Sequence, residues 1–239
     1  MDWWQIVLIC VGAVFVWVLL SALLYRAFFK RFYDIVLSGL ALLILSPILL
    51  ILTILGAIKM KGNPFFTQPR PGKDGKVFKL IKFRSMTNAK GADGKLLPPS
   101  KRLTKYGKIL RSTSLDELPE LINIFIGNMS LIGPRPLLVE YLPYYSEEES
   151  RRHEVRPGLT GLAQANGRNA ISWEQKFAYD VYYVDNVTLW HDIKIIFQTV
   201  LKVVKRSNIQ FDPSVKEGSF LETRKRLAEQ REQEKNENN

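Results

Sequence analysis

A chain of 239 residues with 34 Lys+Arg against 23 Asp+Glu carries a formal net charge of +11, a surplus suited to an anionic partner. One cysteine, Cys10, excludes an internal disulfide framework, and two histidines, His153 and His191, leave oxygen donors of the kind Mg²⁺ or Mn²⁺ prefers for any metal. With no zinc-knuckle spacing, RNA-binding aromatic strand or helix-turn-helix pattern, nucleic acid is excluded, leaving phosphorylated molecules and an acidic membrane face.

Trp3 to Leu24 is an apolar run of 22 residues, at ~1.5 Å per residue long enough for a ~30 Å hydrocarbon core. Met1-Asp2 has no basic n-region and no small-x-small site follows, which argues against a cleaved signal peptide. Trp3 and Trp4 at one end, with Arg26, Lys30 and Arg31 at the other, predict an N-outside, C-inside span. Ile35 to Ile58 is also long enough to span, but it is basic at both ends: Lys30 and Arg31 before, Lys59 and Lys61 after. At its centre, Ser46-Pro47 removes the donor that the Leu43 carbonyl would use, and the Ser46 hydroxyl is placed to help locally. A proline-kinked span fits this pattern, and so does a re-entrant helix that returns to the face it entered. The symmetric basic flanks favour the second, which holds the rest of the chain against the inner leaflet.

Pro64 to Met86 predicts a β-hairpin, with FFTQ and VFKLIKF as strands and PRPGKDGK as the turn. Lys82 and Arg84 leave the second strand for a polar loop, Asn88–Ser100, as edge protection or as part of a phosphate pocket. KRLTKYGKIL, residues 101–110, suits a short basic amphipathic helix on a membrane surface.

Leu110–Pro136 then places adjacent carboxylates, Asp116 and Glu117, at a helix start, after Arg111 and before Arg135. Ser114-x-x-Glu117 matches a capping box, and Pro119 fits the first turn, which would set Asp116 in the positive end of a helix dipole. Neighbours on a helix point ~100° apart, so the pair suits two tasks, one carboxylate attacking phosphorus and the other holding a metal. An ordinary capped surface helix carries the same pattern. In Gly133-Pro134-Arg135-Pro136 two prolines present one guanidinium, a forked donor that matches phosphate oxygens. Arg156-Pro157-Gly158, Thr160-Gly161 and Gly167-Arg168-Asn169 form a glycine-rich polar loop that is no Walker or dinucleotide fingerprint. Trp173–Asp185 and Thr188–Arg206 read as two helices, and the chain ends in a hydrophilic tail expected to be solvated and without chemistry.

KRFYDIVLSGLALLILSPILL, FTQPRPGKDGKVFKLIKFRSM, SLDELPELIN, MSLIGPRPLL and RPGLTGLAQANGR, in this order between Lys30 and Ile209, resemble the bacterial sugar transferase family, the monotopic phosphoglycosyl transferases. The resemblance implies an α/β, mostly helical, membrane-associated catalytic core with a β-hairpin and a re-entrant helix broken at Ser46-Pro47, here with an added N-terminal apolar helix. The expected organisation is an N-terminal transmembrane segment (1–29), a re-entrant helix (30–62), a cytosolic core (63–210) and a charged tail (211–239). It implies an enzyme that uses Mg²⁺ to transfer a sugar-1-phosphate from a UDP-sugar to undecaprenyl phosphate, releasing UMP. Asp116 would be the nucleophile of a covalent phosphosugar intermediate and Glu117 the metal ligand, with Lys82, Arg84, Arg111, Arg135 and Arg168 binding phosphates or nucleotide. PLLVEYLPYY and NGRNAISW most resemble members that use UDP-N,N′-diacetylbacillosamine in protein glycosylation; galactose or N-acetylgalactosamine donors are the alternative. The expected place is the bacterial plasma membrane, cytoplasmic face, with a homodimer or downstream glycosyltransferases as partners. A non-catalytic membrane-anchored scaffold is the competing reading.

Overall fold

Two helices long and apolar enough to cross a membrane open the chain, Trp3–Leu23 and Tyr25–Met60. The computed structural model describes residues 2–167, 171–204, 220–222 and 224–225. In order, helix α1 (Trp3–Leu23) leads through a π-helical turn, Tyr25–Phe29, into α2 (Lys30–Met60), and the hairpin β1 (Phe65–Pro71) and β2 (Val77–Phe83) follows. Next come α3 (Pro99–Arg102), α4 (Lys105–Ser112), α5 (Glu120–Ile126), β3 (Ser130–Ile132), α6 (Glu147–Ser150), β4 (Gly158–Thr160), α7 (Leu162–Asn166), α8 (Trp173–Asp185) and α9 (Leu189–Val204). The fold is mostly helical, with two small sheets: β1 and β2 antiparallel, β3 and β4 parallel.

Helix α1 buries only Ser21 and exposes apolar side chains all round, the pattern of a helix that needs lipid. Its last turns touch α2, where Trp17 Nε1 donates to the Tyr33 hydroxyl at 3.2 Å and Ser21 Oγ lies 2.9 Å from the same oxygen. Helix α2 behaves differently. One face, with Leu43 and Ile44 each 72 % exposed, meets no protein, while the other lies along the core. Ala41, Leu42 and Leu45 pack on Leu80, Leu121, Ile124 and Met129; Leu49 and Leu52 pack with Phe83 and Leu110. The helix continues through Pro47 rather than ending there, and Ser46 Oγ donates to the Leu43 carbonyl at 2.8 Å. That bond satisfies the acceptor the proline leaves without a partner.

The basic residues that open α2 are structural ties as well as flanks. Lys30 pairs with Asp192 at 2.6 Å, and the Asp192 carboxylate also accepts from Tyr25 and Tyr183, a buried knot between the start of α2, α8 and α9. Arg31 donates to the carbonyls of Ile124 and Phe125, at the negative end of α5. Asp34 accepts from Ser130 Oγ and the Leu131 amide, which ties α2 to β3.

The tail departs from its expected form. Phe220, 2 % exposed, packs with Leu137, Tyr141 and Phe177, and Arg224 pairs with Glu149. Phe220, in a largely polar stretch, finds an aromatic seat because its burial outweighs solvation of its neighbours. Most of 211–239 lies outside the described residues.

Candidate active site

The site begins where α4 stops. Ser114 adopts a left-handed conformation (φ 57°) and its amide donates to the Arg111 carbonyl, a helix stop usually given to glycine. For serine this conformation costs about 1 kcal/mol. The chain then makes one 3₁₀ turn, Leu115–Glu117, and α5 begins at Glu120 with Pro119 as its N-cap. The expected capping box is therefore not formed. Ser114 makes no cap bond, because it ends α4 instead of starting α5, and the Glu117 side chain turns to cations.

Lys82 of β2 reaches Glu117 Oε1 at 2.8 Å and Glu120 Oε1 at 3.0 Å, and Arg135 Nη2 reaches Glu117 Oε1 at 2.7 Å. Both cations thus meet on one oxygen of Glu117. Burial pushes that carboxyl up, but Arg135 and Lys82 outweigh it and hold it below the usual carboxylate range. Glu120 shows the opposite balance: burial, with help from Glu117, raises it to about 7 against the pull of Lys82. Asp116 is raised too, by burial first and then by Glu117, against Lys82, Arg111 and Arg135. The helix-dipole expectation fails for Asp116, since it precedes α5 and burial outweighs the cations.

Of the basic residues singled out in the sequence, Lys82 and Arg135 pair with Glu117, and Arg111 is close enough to draw Asp116 down. Arg111 Nε also donates to Ser85 Oγ at 2.9 Å. Arg84 is used elsewhere: its guanidinium donates to the Phe65 carbonyl at 3.3 Å, across the hairpin. Arg168 and Asn169 lie outside the described residues.

The Arg135 arm is held from both sides. Gly133 donates to the Thr160 carbonyl at 2.9 Å and Gly158 to the Pro134 carbonyl at 3.0 Å. A Cβ on Gly158 would fall 2.1 Å from the Gly133 nitrogen, so only glycine allows the two backbones this close. Arg152 Nη2 donates to the Arg135 carbonyl at 2.8 Å, and the Arg152 guanidinium is itself buried against Asp180.

Glu120, Arg152 and Asp180 were absent from the sequence-based candidates. Asp180 carried a legible signal, a carboxylate on the same stripe of α8 as Phe177 and Val184, where a charge needs a partner. Arg152 was hidden in a charge run, and nothing local marks Glu120. An open groove between α7, α8 and α9, lined by Asn166, Tyr179, Tyr182, His191 and Lys194 among others, holds none of the site carboxylates.

Residues 25–206 match the family model described as bacterial sugar transferase. The chain belongs to that family. It is an enzyme of the phosphoglycosyl transferase class, which sets aside the scaffold reading. A protein named uncharacterized sugar transferase EpsL, from Bacillus subtilis, is 51 % identical over 76 % of this chain and 90 % of its own length. UDP-glucose:undecaprenyl-phosphate glucose-1-phosphate transferase of Klebsiella pneumoniae is 44 % identical over 73 % of the chain. Undecaprenyl-phosphate galactose phosphotransferase of Salmonella typhimurium is 36 % identical over 75 %. The matched stretch spans 40 % and 41 % of these last two relatives. With two long apolar helices and this family, the protein is membrane-associated.

Proposed function

We propose that the protein transfers a sugar-1-phosphate from a UDP-sugar to undecaprenyl phosphate through a phosphosugar carried on Asp116. The observation that carries this reading is the unequal treatment of two adjacent carboxylates. Lys82 and Arg135 reach Glu117 at contact distance and Lys82 also reaches Glu120, whereas among the described residues no cation reaches Asp116 at that distance. A carboxylate whose affinity for protons is raised, with cations nearby but not on it, is the better nucleophile of the two.

In the first step an Asp116 carboxylate oxygen bonds to the sugar-linked phosphorus, the bond from that phosphorus to the bridging oxygen breaks, and UMP leaves with the electron pair. In the second, an oxygen of the lipid phosphate attacks the same phosphorus and returns the carboxylate. Arg135 and Arg111 supply fixed positive charge where the phosphoryl oxygens gather negative charge. An oxygen donor of the kind Mg²⁺ takes is present in Glu117 Oε2, the carboxylate oxygen that neither Lys82 nor Arg135 takes. Such sites bind Mg²⁺ through one or two carboxylates plus substrate phosphates. Bound there, the ion would neutralise the pyrophosphate.

For topology we favour a re-entrant α2 with the catalytic core on the cytoplasmic face. A helix that packs on the core from Asp34 to Leu52 cannot stand upright across a bilayer without drawing polar residues into it. Labelling of Arg26→Cys and Lys61→Cys, made in a Cys10→Ser background, should find both on the cytoplasmic side; opposite sides would mean a span.

The donor we favour is UDP-N,N′-diacetylbacillosamine, on the strength of PLLVEYLPYY and NGRNAISW. Relatives named for glucose and galactose favour a plain UDP-hexose instead, and a donor panel separates the two. The homodimer and downstream glycosyltransferases belong to the same proposal, and crosslinking in native membranes tests them. Purified protein with UDP-sugar, Mg²⁺ and undecaprenyl phosphate should release UMP and yield a phosphosugar adduct on Asp116 by mass spectrometry. Asp116→Asn should abolish both. Turnover retained in that variant would remove Asp116 as nucleophile.

A further inference from the structure

The Arg135 arm ends in a guanidinium that touches Glu117, but its backbone is anchored to a second, buried arginine. Arg152 is 3 % exposed, and every nitrogen of its guanidinium has a partner. Nε and Nη2 reach Asp180 Oδ2 at 3.0 and 2.7 Å, Nη1 reaches the Tyr145 hydroxyl at 3.3 Å, and Nη2 also donates to the Arg135 carbonyl at 2.8 Å. The rings of Tyr145 and Phe177 lie 5.7 and 5.6 Å from the guanidinium carbon. Phe220 of the tail closes this aromatic wall, 5.4 Å from Phe177 and 6.1 Å from Tyr145 between ring centroids. A buried ion pair is a poor source of stability, because desolvation offsets much of its attraction. It is a good source of geometry, because each hydrogen bond has one direction.

We infer that Arg152, oriented by Asp180 and roofed by Phe220, is a positioning residue for Arg135. It fixes the carbonyl from which the guanidinium is aimed at Glu117. The chain from Phe220 to Glu117 runs through named contacts at every link, and its outer end lies beyond residues 25–206 that match the family. Phe220 of the tail is therefore part of the apparatus that positions Arg135. The inference rests on the phosphoglycosyl reading only for its kinetic readout.

The test measures donor kcat/KM by UMP release for Arg152→Lys, Asp180→Asn and Phe220→Ala, alone and in an Arg135→Ala background. Loss of a group that orients a metal-site partner lowers activity by roughly 10–100-fold. We expect a loss of that size for Arg152→Lys and Asp180→Asn in the native background, and less than about twofold where Arg135 is already gone, since non-additivity marks residues that act as one unit. Hydrogen exchange of the 133–138 peptide should quicken in each variant while the α5 peptide stays protected. Equal losses in both backgrounds, or native exchange of the arm in a folded variant, overturn the inference. Phe220→Ala keeps both members of the pair. It carries the test if the other two variants fail to fold, and unchanged donor kcat/KM and arm exchange in it would remove the tail from the apparatus. Wild-type protein that releases no UMP overturns the reaction reading alone, since the exchange measurement still judges the positioning.

Discussion

Glu120 offers a test of the site's electrostatics that needs no substrate. Its side chain is 3 % exposed beside Lys82, and burial raises its pKa from the ordinary 4.5 to about 7. Below pH 4.5 the carboxyl is protonated in folded and unfolded chains alike and contributes nothing. Between pH 4.5 and about 7 the unfolded chain releases the proton while the folded chain keeps it, so stability falls as pH rises. At 1.36 kcal/mol per pH unit this window is worth about 3 kcal/mol, and above it the penalty is constant. Glu120→Gln cannot ionise, so it should gain on the wild type by that amount between pH 4.5 and 7.5. For a core of this size the gain is a relative rise in Tm of roughly 6–12 °C. Thermal melts of both proteins in the same detergent, at half-unit steps of pH, measure the difference directly. Only its change with pH counts, since the substitution also carries a constant offset. A difference that stays flat across the window would show that Glu120 is not held protonated, and that Lys82 outweighs burial.

Three further outcomes follow from the contacts. Gly158→Ala forces a Cβ to within 2.1 Å of the Gly133 nitrogen, a backbone clash that should cost at least about 3 kcal/mol, read as a fall in Tm together with a lost donor KM. Asp192→Ala leaves Lys30, Tyr25 and Tyr183 without their shared acceptor and should cost about 3–5 kcal/mol, seen as protease-sensitive release of α9 from the membrane helix. Glu117→Gln should raise the Mg²⁺ concentration needed for UMP release about tenfold or more and weaken Mn²⁺ binding in a titration without substrate; an unchanged Mn²⁺ affinity would take the metal off Glu117.

Much of the architecture was legible because it rests on local rules. Strand-like runs around a turn-rich stretch, and helical patterns further on, placed the hairpin and helices α8 and α9 close to where they are found. The missing donor at Pro47 and its repair by Ser46 followed from residues three positions apart. The left-handed Ser114 was not legible, because Ser-x-x-Glu reads equally well as a cap, and only the end of α4 against the core selects the other use of that serine.

The chain's motifs and their order, set by local spacing, determined by themselves that two carboxylates would stand among cations beside an apolar helix. Which cation meets which carboxylate was decided by tertiary structure alone. Lys82 reaches Glu117 over a separation of 35 residues, Asp180 reaches Arg152 over 28, and Arg84, two positions from Lys82, is spent on a carbonyl of the neighbouring strand. Such pairings depend on where the chain returns, and return is set by burial of the whole apolar surface. No window of sequence contains that information, and so Asp116 and Glu117, neighbours with nearly the same chemistry, acquire opposite shifts only when the fold closes around them.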